Sequence, residues 1–128
     1  MEAVGIACQL AKKQKGRVTV LHVIEVGREL PLTAEMDTEA RRGEQLLQRA
    51  FEVAHDARYA VELELLQARA AGQAIVEAAT ERRVEVVIMG IEQKSLAGES
   101  PIGRTADYVL KHAPCRVWIL RQALTGPE

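Results

Sequence analysis

Aromatic side chains are scarce in this chain: one Trp, two Tyr and one Phe among 128 residues. The apolar mass is Ala, Val, Leu and Ile instead, which suits helices packed on a buried sheet better than a β-sandwich. Cysteine is equally sparse. Cys8 and Cys115 make no disulfide framework and read as two separate reduced thiols. A surplus of charge is missing too, since the formal net charge is −1, and nothing draws the chain electrostatically to nucleic acid or an anionic bilayer. No apolar run approaches the roughly 18 residues of a membrane span, and no signal peptide precedes the first helical pattern. These absences predict a soluble, cytoplasmic protein of a single domain, long enough for a proper core and too short for a second one.

What is present is alternation. Ala3, Ile6, Ala7, Leu10 and Ala11 share one helical face, with Lys12, Lys13 and Lys15 at the end where the dipole favours cations and Gly16 expected to close the helix. Residues 17–26 are β-branched and apolar almost throughout, the pattern of a strand buried on both faces. After a loop with Pro31, Thr33 or Thr38 can cap a long helix with the stripe Leu46, Leu47, Ala50, Phe51 and Ala54. Residues 59–67 read as a second strand with Val61, Leu63 and Leu65 on one face. A helix beginning at Gly72 and Gln73, with Ile75, Ala78 and Ala79 inward, precedes a strongly β-like run at 84–89. Residues 101–112 read as the last helix, with Ser100 and Pro101 as N-cap and N1 and with Ile102, Ala106, Val109 and Leu110 inward. Pro114 ends it, residues 115–120 form a last strand, and the remainder is a tail. Helix–strand order of this kind implies parallel strands joined by right-handed crossovers. The alternation begins on a helix, where doubly wound folds usually begin on a strand, so either the sheet has only four strands or a first strand lies upstream of Met1.

Little conventional chemistry stands out. His22, His55 and His112 are far apart and pair with no acids at ligand spacing; His22 reads as a hydrogen-bonded core residue, and His112 with Cys115 as a structural pair. Arg41, Arg42 and Arg49 with Glu39, Glu44 and Glu52 read as a solvated helix face with i,i+4 pairs. There is no serine nucleophile elbow, no P-loop ending in Lys-Ser/Thr, and no carboxylate pair set apart as acid and base. The informative stretch is residues 84–105, VEVVIMGIEQKSLAGESPIGRT. An apolar run ends in Gly90, a loop follows, and Gly103 stands at a helix start, a geometry that brings backbone amides to where a phosphate can sit.

The blocks LHVIEV, AGQAIVEAA, VEVVIMG and GRTADYVLKHAPCRVWILR, in this order and spacing, resemble the universal stress protein family over essentially the whole chain. The domain expected is residues 1–122, with 123–128 as a tail. VIEVGRELPLTAE and GRTADYVLKHAPCRVW further resemble a subgroup found alone and as the cytoplasmic tail of amino acid permeases and cationic amino acid transporters. The resemblance implies an α/β, Rossmann-like fold of the adenine nucleotide alpha hydrolase kind, with a parallel sheet in the order 3-2-1-4-5. Under that mapping the chain holds strands two to five and lacks the central first strand, whose terminal aspartate contacts adenosine in nucleotide-binding members.

ATP-binding members carry Gly-x2-Gly-x9-Gly-Ser/Thr after the fourth strand, which maps onto Gly90, Gln93, Gly103 and Arg104. Gln93 replaces a glycine that lets the loop approach its ligand, and Arg104 replaces a hydroxyl residue, with Thr105 next to it. Glu92 and Glu99 against one Lys94 oppose a polyphosphate, and Ser100 as a cap would occupy an amide that a phosphate uses. The loop is therefore degenerate for ATP and better suited to AMP, a cyclic dinucleotide or an inorganic anion, with Arg104 as a fork for phosphate. Val23 and Met89 match positions that line the adenine pocket. By the implied strand order the last strand is an edge, which family members cover by pairing with a second subunit; Val117 and Trp118 are the expected homodimer contacts. The reading is a non-enzymatic, dimerising, ligand-sensing domain with a degenerate nucleotide loop, attached in one version to an amino acid transporter. Its alternatives are an ATP-binding protein with slow hydrolysis and a purely structural dimerisation module.

Overall fold

Two periodicities, 3.6 and 2, take turns along the chain, and the backbone follows them. The computed structural model describes residues 1–91 and 102–121. Its elements are α1 (Glu2–Gln14), β1 (Thr19–Glu25), α2 (Asp37–Asp56), β2 (Glu62–Ala68), α3 (Ala71–Arg82), β3 (Val86–Ile91), α4 (Gly103–His112) and β4 (Arg116–Arg121). The chain is an α/β protein with parallel strands. The residues expected to form the tail lie outside the described residues.

Several ends differ from the sequence expectation. Lys15, not Gly16, adopts the left-handed conformation that closes α1, at φ 55°, and Arg58 and Arg83 take the same region at 58° and 51°. A long basic side chain tolerates this at a modest cost and keeps a cation near the helix C-terminus. Neither threonine caps α2: its N-cap is Met36, which makes no side-chain cap bond, while Thr38 is already helical. Of the expected α2 stripe, Leu46 and Phe51 are exposed, and Gly43 is buried in their place alongside Leu47, Ala50 and Ala54. Close packing explains the exchange, since a Cβ at Gly43 would stand 2.7 Å from Leu65 Cδ1 and 2.8 Å from His22 Cδ2. β2 starts at Glu62 rather than Tyr59, and β3 runs from Val86 to Ile91. Tyr59 instead locks the α1–β1 turn, its hydroxyl donating to the carbonyls of Gly16 and, at 3.4 Å, Ala11.

The strands form two separate parallel pairs, β1 with β2 and β3 with β4. Thr19 to Glu25 align with Glu62 to Ala68, and Val86 to Ile91 with Arg116 to Arg121. α1 packs on α2 and β3, whereas α3 packs on α4 and β1. Side chains show that α2 and α3 cover opposite faces of β1. His22 meets Gly43 of α2, while Thr19 and Glu25, on the other parity, meet Arg82 and Ala71 of α3. Helices therefore flank a strand layer that is divided between β1 and β3.

The core lies mainly on the helices: Cys8, Ala11, Leu47, Ala50, Ala54, Ala74, Ala79, Ala106 and Val109 are buried. Within the strands only Ile24 is, with Val18 and Val26 just beyond the ends of β1. Small alanines at the inner faces let helices approach the strands closely. Burial pushes the Cys8 thiol above its ordinary 9.0, partly opposed by the Lys12 charge. Among the described residues no helix is long and apolar enough to cross a membrane.

Candidate functional site

All four helices return against the strands, so their N-termini collect where the strands end. At β1 the contacts show this directly. Arg82, at the end of α3, reaches Thr19 at the start of β1, and Ala71, at the start of α3, reaches Glu25 at its end. At β3, a Cβ on Gly90 would lie 3.8 Å from Ala3 Cβ, placing the α1 N-terminus beside the end of β3. α4 follows the same rule, because His112 precedes β4 by a short turn and Tyr108 packs on Gly72 near the start of α3. Carboxyl ends of parallel strands surrounded by helix N-termini form a crevice that favours anions.

One of these helix ends is already occupied. The Ala71 N–H donates to Glu25 Oε2 at 2.8 Å, so a carboxylate from β1 caps α3. α1 and α4, with N-caps Met1 and Ile102, have no side-chain cap bond. The helix starts two residues later than Pro101, and the Ser100–Pro101 cap expected from sequence lies outside the described residues. Gly103 opens α4 at φ 86°, with nothing among the described residues within 4 Å of where its Cβ would be. Its glycine is required by backbone conformation. Gly90 is different: it lies in β3 without a positive φ, and a Cβ there would make only an ordinary contact. Among the described residues, neither packing nor backbone geometry requires the glycine at position 90.

The remaining sequence candidates spread round the crevice. Val23 lies in β1 on the α3 face and is half-buried. Met89 is half-buried in β3, on the face opposite Gly90 and Ala3. Arg104 is exposed and Thr105 half-buried in the first turn of α4. Gln93, like Glu92, Lys94 and Glu99, lies outside the described residues. Gly90, Gly103, Arg104 and Thr105 thus belong to the β3–α4 side and Val23 to the β1 side. Val117 and Trp118 are successive residues of β4 and face opposite sides of it; Val117 aligns with Val87, and Trp118 with Ile88. Trp118 is 38% exposed.

Sequence reasoning missed the side chains that shape the β1–α2 loop. Arg69 donates from Nη1 to the carbonyls of Val26 (3.3 Å), Gly27 (2.6 Å) and Leu30 (2.7 Å). Gln67 Nε2 donates to the carbonyls of Leu32 (2.7 Å) and Ala34 (3.0 Å). Between them these two residues of the β2 end hold the loop beside the crevice. No local sequence signal singles them out, because β2 already carries Glu62 and Glu64 among its apolar residues.

The histidines and charged residues singled out in the sequence take the following places. His22 packs on Gly43 and makes no hydrogen bond among the described residues, so it is a packing residue rather than a hydrogen-bonded one. His112 Nδ1 lies 2.9 Å from the Tyr108 carbonyl and its ring stacks on Tyr108 at 4.1 Å. The charged face of α2 makes no ion pair; among the described residues the pairs are Arg82–Glu64 and Lys111–Asp107. No cluster of three or more potential metal ligands occurs among the described residues. Surface hollows of about 330 and 600 Å³ lie at the opposite, amino ends of the strands, the first beside Arg17 and Tyr59 and the second beside Glu85 and Cys115. Helix carboxyl ends face that side, which makes it a poor place for an anion.

The chain is 25% identical over 128 residues to Universal stress protein MJ0531 of Methanocaldococcus jannaschii, covering 95% of this chain and 75% of that protein. It superposes with a TM-score of 0.73 on the universal stress protein from Archaeoglobus fulgidus in complex with dAMP, at 19% identity, covering 91% of this chain and 83% of that one. A further universal stress protein, in complex with cAMP, superposes with a TM-score of 0.69 at 19% identity, covering 95% and 86%. The model of the universal stress protein family matches residues 1–121. With parallel strands, flanking helices and an anion-favouring crevice at the strand ends, the chain belongs to the universal stress protein family.

Proposed function

We propose that this protein is a regulatory domain that senses a small adenine nucleotide, a monophosphate rather than ATP, in the crevice between the end of β3 and the start of α4. The observation that carries this reading is the pairing of Gly90 and Gly103. Gly103 turns the chain into the N-terminus of α4, where Ile102 makes no side-chain cap bond, and Gly90 keeps the adjacent strand end bare where nothing among the described residues asks for glycine. Arg104, exposed in the same turn, supplies a guanidinium for one phosphate. The dAMP and cAMP complexes of two relatives support the same ligand class. Gln93 in place of a glycine, and Glu92 and Glu99 in the loop, disfavour a longer phosphate chain.

The experiment is a thermal-shift series on the full chain with AMP, cAMP, ATP and inorganic phosphate. AMP or cAMP is expected to raise Tm more than ATP, since a ligand that binds only the native state raises apparent stability. Arg104→Ala, which leaves the backbone free to fold, should remove the shift. A larger shift with ATP than with AMP would reverse the proposed selectivity, and no shift with any compound would sink the reading.

In this reading the domain is non-catalytic, works on the cytoplasmic side, and forms a homodimer along the outer edge of β4. Trp118 at 38% exposure on an edge strand favours that contact. Trp118→Lys should turn a dimer into a monomer in sedimentation. Attachment to an amino acid transporter rests on the two sequence blocks alone and is tested by co-purification with such a transporter.

A further inference from the structure

A net charge of −1 hides an uneven distribution. The α1–β1 turn and the α2–β2 turn lie side by side at the amino ends of the strands: the Tyr59 hydroxyl donates to the Gly16 carbonyl, and Glu62 N–H donates to the Val18 carbonyl at 2.9 Å. This brings Lys12, Lys13, Lys15 and Arg17 of the first turn to Arg58 of the second. All five are exposed, and among the described residues none of them makes an ion pair. Asp56 and Glu62 are the acids of the same two turns. The other turns at this pole are closer to balance, with Arg82 and Arg83 beside Glu81 and Glu85 in sequence, and Lys111 paired with Asp107.

Helix dipoles account for only part of this excess. The carboxyl end of α1 carries about half a negative charge, whereas four cations fall within residues 12–17. Backbone carbonyls disfavour an anion inside the hollow beside Arg17 and Tyr59, but the exposed side chains around it carry the opposite sign. Backbone conformation points the same way. Among the described residues the non-glycine residues at positive φ are Lys15, Arg58 and Arg83, all basic and all at this pole. Glycine takes that conformation without strain, so a long cation there is kept at a cost in stability. Apolar side chains join the cations. Gly43 of α2 lies against His22 and Leu65 in mid-strand; Phe51 lies about 12 Å further along the helix, level with the strand starts. Phe51 is 46% exposed, and Leu63, near the start of β2, is 40% exposed.

We propose that this corner of the protein docks on the surface of an anionic lipid bilayer, its cations at the headgroups and Phe51 and Leu63 at the apolar boundary. Lysine ammonium groups on flexible stems attract mobile headgroups without needing a fixed spacing. An exposed aromatic ring and a leucine beside them add the apolar contact of an interfacial surface. Nucleic acid fits this corner less well. The cations lie on two short turns rather than along one helix face, and Tyr59 is half-buried with its hydroxyl turned to Gly16, so successive bases find no row of aromatic rings. Docked in this way, the protein points the carboxyl ends of its strands, and the crevice there, away from the bilayer. The inference is independent of the nucleotide reading.

The test is flotation of the full chain with vesicles of phosphatidylcholine alone and of phosphatidylcholine containing about 30% phosphatidylserine. Binding is expected to the anionic vesicles only, and to weaken by about tenfold when salt is raised to about 0.5 M. Lys15→Gly combined with Arg58→Gly removes two cations and relieves two left-handed positions, so Tm should hold or rise. Binding by that double variant should weaken by about thirtyfold. Phe51→Ser should weaken binding several-fold and leave its salt dependence in place. Arg28→Gln, in the exposed loop at the opposite pole, should change neither. Equal binding to the neutral vesicles, no binding to the anionic ones, or unchanged binding by the double variant overturns the proposal. Displacement from the anionic vesicles by a single-stranded oligonucleotide at equal phosphate concentration makes the corner a nucleic-acid surface and overturns it as well.

Discussion

The two strand pairs are built from equally apolar sequence but are held differently. The β1–β2 pair has buried residues at Val18, Ile24 and Val26 and is tied down by side chains: Glu25 to α3, Arg82 to Thr19 and Glu64, Arg69 and Gln67 to the following loop. The β3–β4 pair has no buried strand residue and no side-chain hydrogen bond among the described residues. It is held by its ladder and by apolar contact with α1 and α4. The strand with the most β-like sequence is thus one of the less enclosed. Propensity makes a strand; enclosure depends on what lies on both edges and both faces.

The largest expected effect comes from truncating one residue in each pair. Ile24→Ala, at 4% exposure in β1, should cost about 3 kcal/mol in urea unfolding. Ile88→Ala, half-buried in β3, should cost about 1 kcal/mol. Equal losses would break the comparison, because they would show β3 to be as enclosed in solution as β1.

How legible this was from sequence depends on the range of the interaction. The eight elements and their order follow from local periodicity, whereas the pairing does not: the shortest connection, from β2 to β3, joins two strands that do not pair, and only the family resemblance implied which strands are neighbours. Helix ends were less legible, because Lys15 and Arg83 take left-handed positions that sequence rules give to glycine. Gly43 was missed for a tertiary reason: only the proximity of His22 and Leu65 makes its small size matter. At the candidate site, glycines 90 and 103 were legible as a pair but not in their different roles, since φ and neighbouring atoms are not written in a motif. Glu25, Gln67 and Arg69 join segments that are tens of residues apart, and nothing local marks them.

Removing a tether should bring the first pair closer to the second. Arg69→Ala frees the carbonyls of Val26, Gly27 and Leu30 and should cost about 2 kcal/mol, with faster proteolysis in residues 27–34. Arg69→Lys should recover only part of this, as a single ammonium has a different reach from a planar fork. Unaltered proteolysis would mean the loop is held by other contacts.

The two glycines of the second pair sharpen the comparison further. Gly103→Ala must place a Cβ at φ 86°, which costs about 1 kcal/mol from backbone conformation alone. Among the described residues Gly90→Ala meets nothing closer than Ala3 Cβ at 3.8 Å, and it should leave unfolding within about 0.5 kcal/mol of the parent. Any loss of AMP binding in Gly90→Ala is then a loss of access rather than of fold, whereas a loss in Gly103→Ala mixes the two. If Gly90→Ala binds AMP as well as the parent does, the bare end of β3 has no part in the ligand site. If it binds AMP more weakly while unfolding unchanged, the smallest change in stability identifies the residue whose missing side chain serves function alone.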